Sequence, residues 1–298
     1  GRVGTVTARG GPSLNRFGSA GSFLERYTGR MTMEFSWIHQ TFMDGGGPDN
    51  WLKYTFGNDF TLRGGWSLGV SLLVERFYYP AELYSDYFIA TETPTGTDIL
   101  PFVGEPTLDN YDLVLNIRTP NSPRFSANAF VIFGQDENFD EWASGYIVVG
   151  TGNLVFRPSD QIRAEASYTR QQYIRKTDHS TVRVRDIPRL KLEYQLTRAI
   201  FFRFVGQYDA WNVDDLRDDT RTNAPIVVSD GAGGYEPVLA HTSNDFRFDA
   251  LFSFEPSPGT VIFAGYGSSL TEEDSFKFNR LERRNDGFFT KLSYLFRI

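Results

Sequence analysis

The side chains able to do acid–base chemistry near neutral pH are few: three histidines and no cysteine. His39 falls in a stretch where Met33, Phe35 and Trp37 share its phase, which predicts a position at the rim of an apolar surface rather than a catalytic base. His179 and His241 fall in long polar intervals, where a solvated imidazole is the ordinary outcome. A serine–histidine hydrolase would need a hydroxyl within hydrogen-bond reach of one of them, and no spacing in the chain identifies such a pair. Without cysteine there is neither a disulfide framework nor a thiolate metal site.

Carboxylates are the second chemical resource. They cluster at Asp136, Glu137, Asp140 and Glu141, at Asp214, Asp215, Asp218 and Asp219, and at Glu272, Glu273 and Asp274. Oxygen ligands at this density suit Ca²⁺, with Asp214, Asp215, Asp218 and Asp219 the candidate set. No EF-hand pattern is present, and solvated loop charge is the simpler account. No other cofactor is expected. The same intervals hold Tyr84, Tyr87, Phe88, Phe139, Trp142, Trp211 and Tyr235. Of these, Trp142, Trp211, Tyr84, Tyr87 and Tyr235 are the candidate ligand contacts, because aromatic faces beside carboxylates suit sugars. They suit equally well loops that pack over the mouth of a barrel.

The third resource is a set of charges with a period of two. Arg163 and Glu165, then Arg189, Lys191 and Glu193, then Arg203, then Asp245, Arg247 and Asp249, and finally Lys291 occupy alternate positions. On neighbouring strands such residues form mixed-sign cross-strand ladders. The ladders either satisfy one another and stiffen a wall, or line a polar path that selects solutes.

The positions between those charges say what kind of wall it is. Trp66, Leu68, Val70, Leu72 and Val74 alternate without a charge, as do Tyr111 to Ile117, Ile162 to Tyr168, Leu190 to Leu196 and Phe246 to Phe254. The final stretch, FFTKLSYLFRI, repeats the pattern with Phe288, Leu292, Tyr294, Phe296 and Ile298. Apolar outward and polar inward with a period of two is the pattern of a transmembrane β-barrel, since a Lys or Arg facing lipid at the midplane costs about 2–4 kcal/mol. The composition fits: 16% aromatic residues stand beside 22% charge at a mean hydropathy of −0.35. No run is apolar enough for a membrane helix.

Alternation predicts twelve strands, near 31–43, 50–62, 65–79, 110–119, 124–135, 144–156, 160–175, 182–196, 199–212, 244–254, 259–268 and 286–298. Their connections alternate between short turns, such as Glu255-Pro256-Ser257-Pro258-Gly259, and mostly longer intervals, such as 81–109 and 209–244. Short periplasmic turns opposite long external loops mark the same architecture. The expected fold class is therefore all-β, an antiparallel transmembrane β-barrel over 31–298, preceded by a 1–30 segment that is a linker, a plug or a remnant hairpin. The chain opens with neither Met nor an apolar signal core, as a mature product or a piece of a longer protein would. A net charge of −7 argues against nucleic acid as a partner.

From Arg189 onward, RLKLEYQLTR, FFRFVGQYD, LFSFEPSPGTVIFAGYGSSL and DGFFTKLSYLFRI resemble the carboxy-terminal portion of a bacterial outer-membrane β-barrel domain of unknown function. In that family the barrel follows a family-9-type carbohydrate-binding module. The resemblance implies the outer membrane of a Gram-negative cell, contact with its lipid, and insertion by the barrel-assembly machinery through the last strand. It also implies a barrel with further strands upstream, and glycan handling only by way of the missing module. It supplies no catalytic residues. The functional expectation is a conduit or receptor for a polar solute, with a barrel hydrolase or a plugged, structural barrel as alternatives.

Overall fold

Residues alternating between β-branched or aromatic and polar types, punctuated by Gly, Pro, Asn and Asp, pay least as strands with one apolar face. The computed structural model describes residues 4–295, and they form β1 (Thr5–Gly10), β2 (Ser13–Phe17), β3 (Leu24–Ile38), α1 (His39–Met43), β4 (Trp51–Leu62), β5 (Trp66–Tyr78), β6 (Tyr87–Thr93) and β7 (Gly96–Pro101). There follow β8 (Thr107–Arg118), β9 (Phe125–Asn138), β10 (Ala143–Ser159), β11 (Ile162–Ile174), β12 (Thr181–Gln195) and β13 (Ile200–Val213). The chain continues through β14 (Ile226–Ser229), β15 (Tyr235–Pro237), β16 (His241–Ser257), β17 (Thr260–Thr271) and β18 (Glu282–Tyr294). The fold is all-β, and among the described residues a single 3₁₀ turn, at Ala81–Tyr84, accompanies α1.

The large sheet runs β1-β3-β4-β5-β8-β9-β10-β11-β12-β13-β16-β17-β18, antiparallel throughout, with β2 also on β3. β1 and β2 lie end to end along β3, so they act as one edge strand broken at Gly11 and Pro12. The break is steric: a Cβ on Gly11 would lie 1.9 Å from the Met31 carbonyl oxygen. Among the described residues no pairing joins that edge to β18, so the antiparallel sheet is open and is not closed into a barrel.

Each of the twelve expected strands is present, with two corrections. The first strand begins earlier, at Leu24, and stops at Ile38, so His39 starts α1 instead of ending a strand. The Asp49 carboxylate accepts from the Ile38 amide and the Thr41 hydroxyl, which folds the chain back before Gly45 to Pro48. Residues 5–30 are not left outside the wall: they form β1, β2 and the start of β3. The second correction concerns the long intervals 79–106 and 214–240, which contribute a separate antiparallel sheet in the order β15-β14-β6-β7. The last strand begins at Glu282, and the expected positions Phe296 and Ile298 lie outside the described residues.

Antiparallel order places the connections at two ends. One end carries tight turns, such as Arg63-Gly64-Gly65, where Gly64 and Gly65 both have φ near +88°, a conformation that favours glycine. The other end carries every long interval, including 79–106, 214–240 and 272–281. These are called the turn end and the loop end below.

Candidate functional site

Cross-strand pairing puts partners on the same face, so the register traces both surfaces of the wall. One row runs Ala164–Leu192–Phe204–Ala250–Tyr266–Phe288 across β11, β12, β13, β16, β17 and β18. On the other half of the sheet the same face runs Phe35–Leu52, Met33–Tyr54–Val74–Tyr111 and Met31–Phe56–Leu72–Leu113–Phe133. These side chains are exposed or half-exposed: Leu72, Leu192, Phe204 and Phe288 are among the large apolar residues open to the surroundings. Among the described residues charges return to this face towards the loop end, as Asp286 and the pairs Arg76–Asp109 and Arg170–Asp186, and on the edge strand β2 at the turn end, where Arg16 opposes Tyr27. Between those pairs and the turn end, five alternate residues such as Trp66 to Val74 or Pro188 to Leu196 span about 27 Å along the strand.

The opposite face holds all ten charges expected on the polar side. Arg163 lies opposite Glu193, which lies opposite Arg203; Glu165 opposes Lys191, and Gln207 opposes both Arg189 and Arg247. Asp245 opposes Asp209, Asp249 opposes Val205, and Lys291 opposes Phe263, all in the same phase. The ladder is lopsided. On β11 and β12 it is closed: Arg163 pairs with Glu165 and, at 3.9 Å, with Glu193, while Lys191 lies 2.8 Å from Glu193 and 3.6 Å from Glu165. From β13 to β18 it is open, since Arg203, Arg247, Lys291 and Asp249 make no ion pair among the described residues, and neither does Arg189. A polar groove of about 640 Å³ lies further round at the turn end, lined by Arg26, Thr28, Arg30, Asp59, Asn116 and Arg118.

The loop end is built by the opposite rule. Tyr84, Ile89, Phe102, Leu216 and Ile226 from the small sheet and its flanks form a buried core with Val182 and Val213 from the strand ends. It rests on polar-face side chains: Trp211 and Tyr173 pack against it, and Tyr79, which joins it through Trp142, stacks on Phe77. One ion network ties the loops together. The Arg175 guanidinium, fully buried, donates to Glu141 (Nε to Oε1, 2.9 Å), Asp214 (2.6 Å), the Ser180 hydroxyl (2.8 Å) and the Asp215 carbonyl (2.7 Å). The Arg217 amide completes Glu141 at 2.8 Å. Burial pushes the Glu141 carboxyl above its ordinary value, against the pull of Arg175.

The residues expected to bind ligands in the loops are mostly structural. Tyr84 is buried in the core, and Tyr87, Trp142 and Trp211 pack against it; Tyr235 alone is exposed, edge-on to Phe88. The loop carboxylates expected to suit Ca²⁺ hold donors of the chain itself. Asp214 takes Arg175 and Arg217, Asp215 the Ala240 amide, Asp218 the hydroxyls of Thr220 and Thr222, and Asp219 the Lys176 and Thr177 amides. His179 stacks on Tyr146 and His241 meets Trp211 edge-on; among the described residues no serine hydroxyl bonds to any of the three histidines.

A constellation that sequence reading did not single out sits on the polar face near the loop end. Glu75, Asp112 and Asp136, from β5, β8 and β9, each bring a carboxylate oxygen within 4.8 Å of the others. Glu75 and Asp112 were hidden by lying on different strands far apart in sequence, and only the β5–β8–β9 register brings them together with Asp136. The chain matches no family model and no curated protein.

Proposed function

We propose that this chain forms the wall of an outer-membrane β-barrel in a Gram-negative envelope and that the polar face lines a path or receptor site for a polar solute, a glycan among the candidates. The observation that carries the reading is the exposed apolar band, free of charge from β4 to β17 between the loop-end pairs and the turn end, that crosses the sheet in register. Water does not tolerate it, since a monomeric soluble protein rarely exposes an apolar patch beyond a few hundred Å². Lipid does, and every second residue can then stay polar. Tilted by roughly 35–45°, a run of about 27 Å rises about 19–22 Å, within a few ångström of the roughly 25 Å band of outer-membrane barrels. A wall in lipid also needs both edges paired, because open ladders are not stable there. Pairing of β18 and of the β1–β2 edge, with each other or with further strands, supplies that, and folding by the barrel-assembly machinery through the last strand fits an edge position.

Solute handling rests on the open half of the ladder, where Arg189, Arg203, Arg247 and Lys291 outnumber Asp245 and Asp249 and keep their charges unneutralised. A second reading, a barrel that anchors or supports, is favoured by the loop core that leans on the polar face at the loop end. Conductance of the full-length protein in planar bilayers, with and without oligosaccharides, separates the two. An ion current that sugars reduce supports the conduit. Absence of current and of sugar binding sinks it and leaves the anchor.

A further inference from the structure

We propose that Glu75, Asp112 and Asp136 form a binding site for a hard divalent cation, Ca²⁺ by its chemistry, on the polar face of β5, β8 and β9. Asp112 is only 1% exposed, and neither of its carboxylate oxygens has a hydrogen-bond partner. A buried carboxylate without a donor is the costliest kind of unpaired group in a protein, so it marks a missing ligand. It is aimed at two further acids: oxygens of Glu75 and Asp136 lie within 4.8 Å of it and of each other. Two ligands on opposite sides of one Ca²⁺ are separated by about twice its roughly 2.4 Å bond, so all three fit a single ion.

The surroundings serve the acids without neutralising them. Lys53 lies 3.4 Å from Glu75 and is the single cation paired to the trio among the described residues. The Asn110 side-chain amide donates to Asp136 at 3.3 Å and to Glu137 at 3.2 Å, and the Glu137 amide donates to Asp136 at 2.8 Å. The Tyr79 hydroxyl donates to Glu137 at 3.0 Å, and the Ser144 hydroxyl to Asn110 at 3.3 Å. None of these donors reaches Asp112. Gly134, paired with Asp112, keeps the space open: a Cβ there would lie 2.7 Å from an Asp112 carboxylate oxygen. Three carboxylates within 4.8 Å of one another suit Ca²⁺, which tolerates irregular oxygen geometry, better than Mg²⁺ with its strict octahedron. The site needs three neighbouring strands and no closure of the sheet, so it stands apart from the membrane reading.

The test is calorimetric titration of CaCl₂ into the full-length protein, refolded in detergent micelles and stripped with a chelator. One Ca²⁺ per chain is expected. Asp112→Asn and, separately, Glu75→Gln each weaken binding by about tenfold or more, in line with affinity set by ligand charge count. Asp218→Asn, in the loop cluster, leaves binding as it was. If Asp112→Asn does not fold, Glu75→Gln, which keeps the size of a side chain that already has Lys53 as a partner, decides alone. Absence of Ca²⁺ binding up to millimolar concentration overturns the proposal. So does binding that survives both substitutions, or that falls equally in Asp218→Asn.

Discussion

The loop core and the strand wall are made of the same residue types turned opposite ways. In the core, Tyr84, Ile89, Phe102 and Ile226 point inward and are buried, as in any protein surrounded by water. In the wall, Leu72, Leu192, Phe204 and Phe288 point outward and are exposed, while Lys191 and Glu193 turn to the other face. On the proposed membrane reading the difference is that two solvents act on one chain: the hydrophobic effect orders the loop end, and lipid would surround the wall. Buried charge divides the same way. The core spends Arg175 on holding loops together, whereas the wall keeps several cations unpaired.

The strongest way to break the comparison is at Arg175. Arg175→Met strands Glu141 in a buried site, and breaking a buried ion pair by removing one partner costs about 3–5 kcal/mol. Hydrogen exchange should rise across 139–142, 175–180 and 214–219 while the strands stay protected. Equal deprotection of the wall would show that the two regions are one cooperative unit. Next in size is a charge on the band. Leu192→Arg, near the middle of the exposed row, should destabilise the bilayer-folded protein by about 2–4 kcal/mol. The neighbouring Lys191→Leu, on the ladder, should cost about 1 kcal/mol or less, because a partly exposed pair contributes little. Urea titration of both variants in lipid vesicles measures the gap, and similar costs would erase the distinction between the faces.

The smallest effect is in pH. Bonds from the Ser180 hydroxyl and amide, with Arg217 nearby, hold the Asp178 carboxyl at about 2. A carboxyl depressed in the folded state stabilises above its unfolded value, roughly 3.9, and loses that contribution as pH falls towards its folded value. The 175–180 loop should therefore loosen between about pH 4 and pH 2, ahead of the wall. Proteolysis with an acid-active protease follows it, and Asp178→Asn should abolish the pH dependence of cleavage there.

How much was legible follows from which interactions are local. Alternation along 66–74 or 188–196 is written in consecutive residues, so the wall strands and the phase of all ten polar-face charges could be read directly. The small sheet could not, because β14 and β15 are 4 and 3 residues long and β14 pairs with β6, more than a hundred positions away. Trp142 and Trp211 looked like binding platforms for the same reason: only the fold reveals that they cover a core. Glu75, Asp112 and Asp136 are likewise spread over three strands. Acid runs in loops were conspicuous and turned out to hold amides and guanidiniums.

The central claim is that the apolar band faces lipid and the charged face does not. The absence of native cysteine makes it directly measurable. Single substitutions Leu192→Cys, Phe204→Cys and Phe252→Cys on the band, and Lys191→Cys, Val205→Cys and Asp249→Cys on the polar face, can each be spin-labelled after reconstitution into bilayers. Collision rates with dissolved oxygen and with a water-soluble nickel chelate then report the surroundings of each label. High oxygen and low nickel access at 192, 204 and 252, with the reverse at 191, 205 and 249, is the predicted result. Nickel access at both sets, or protection of the band from both reagents as in a dry protein core, would contradict it.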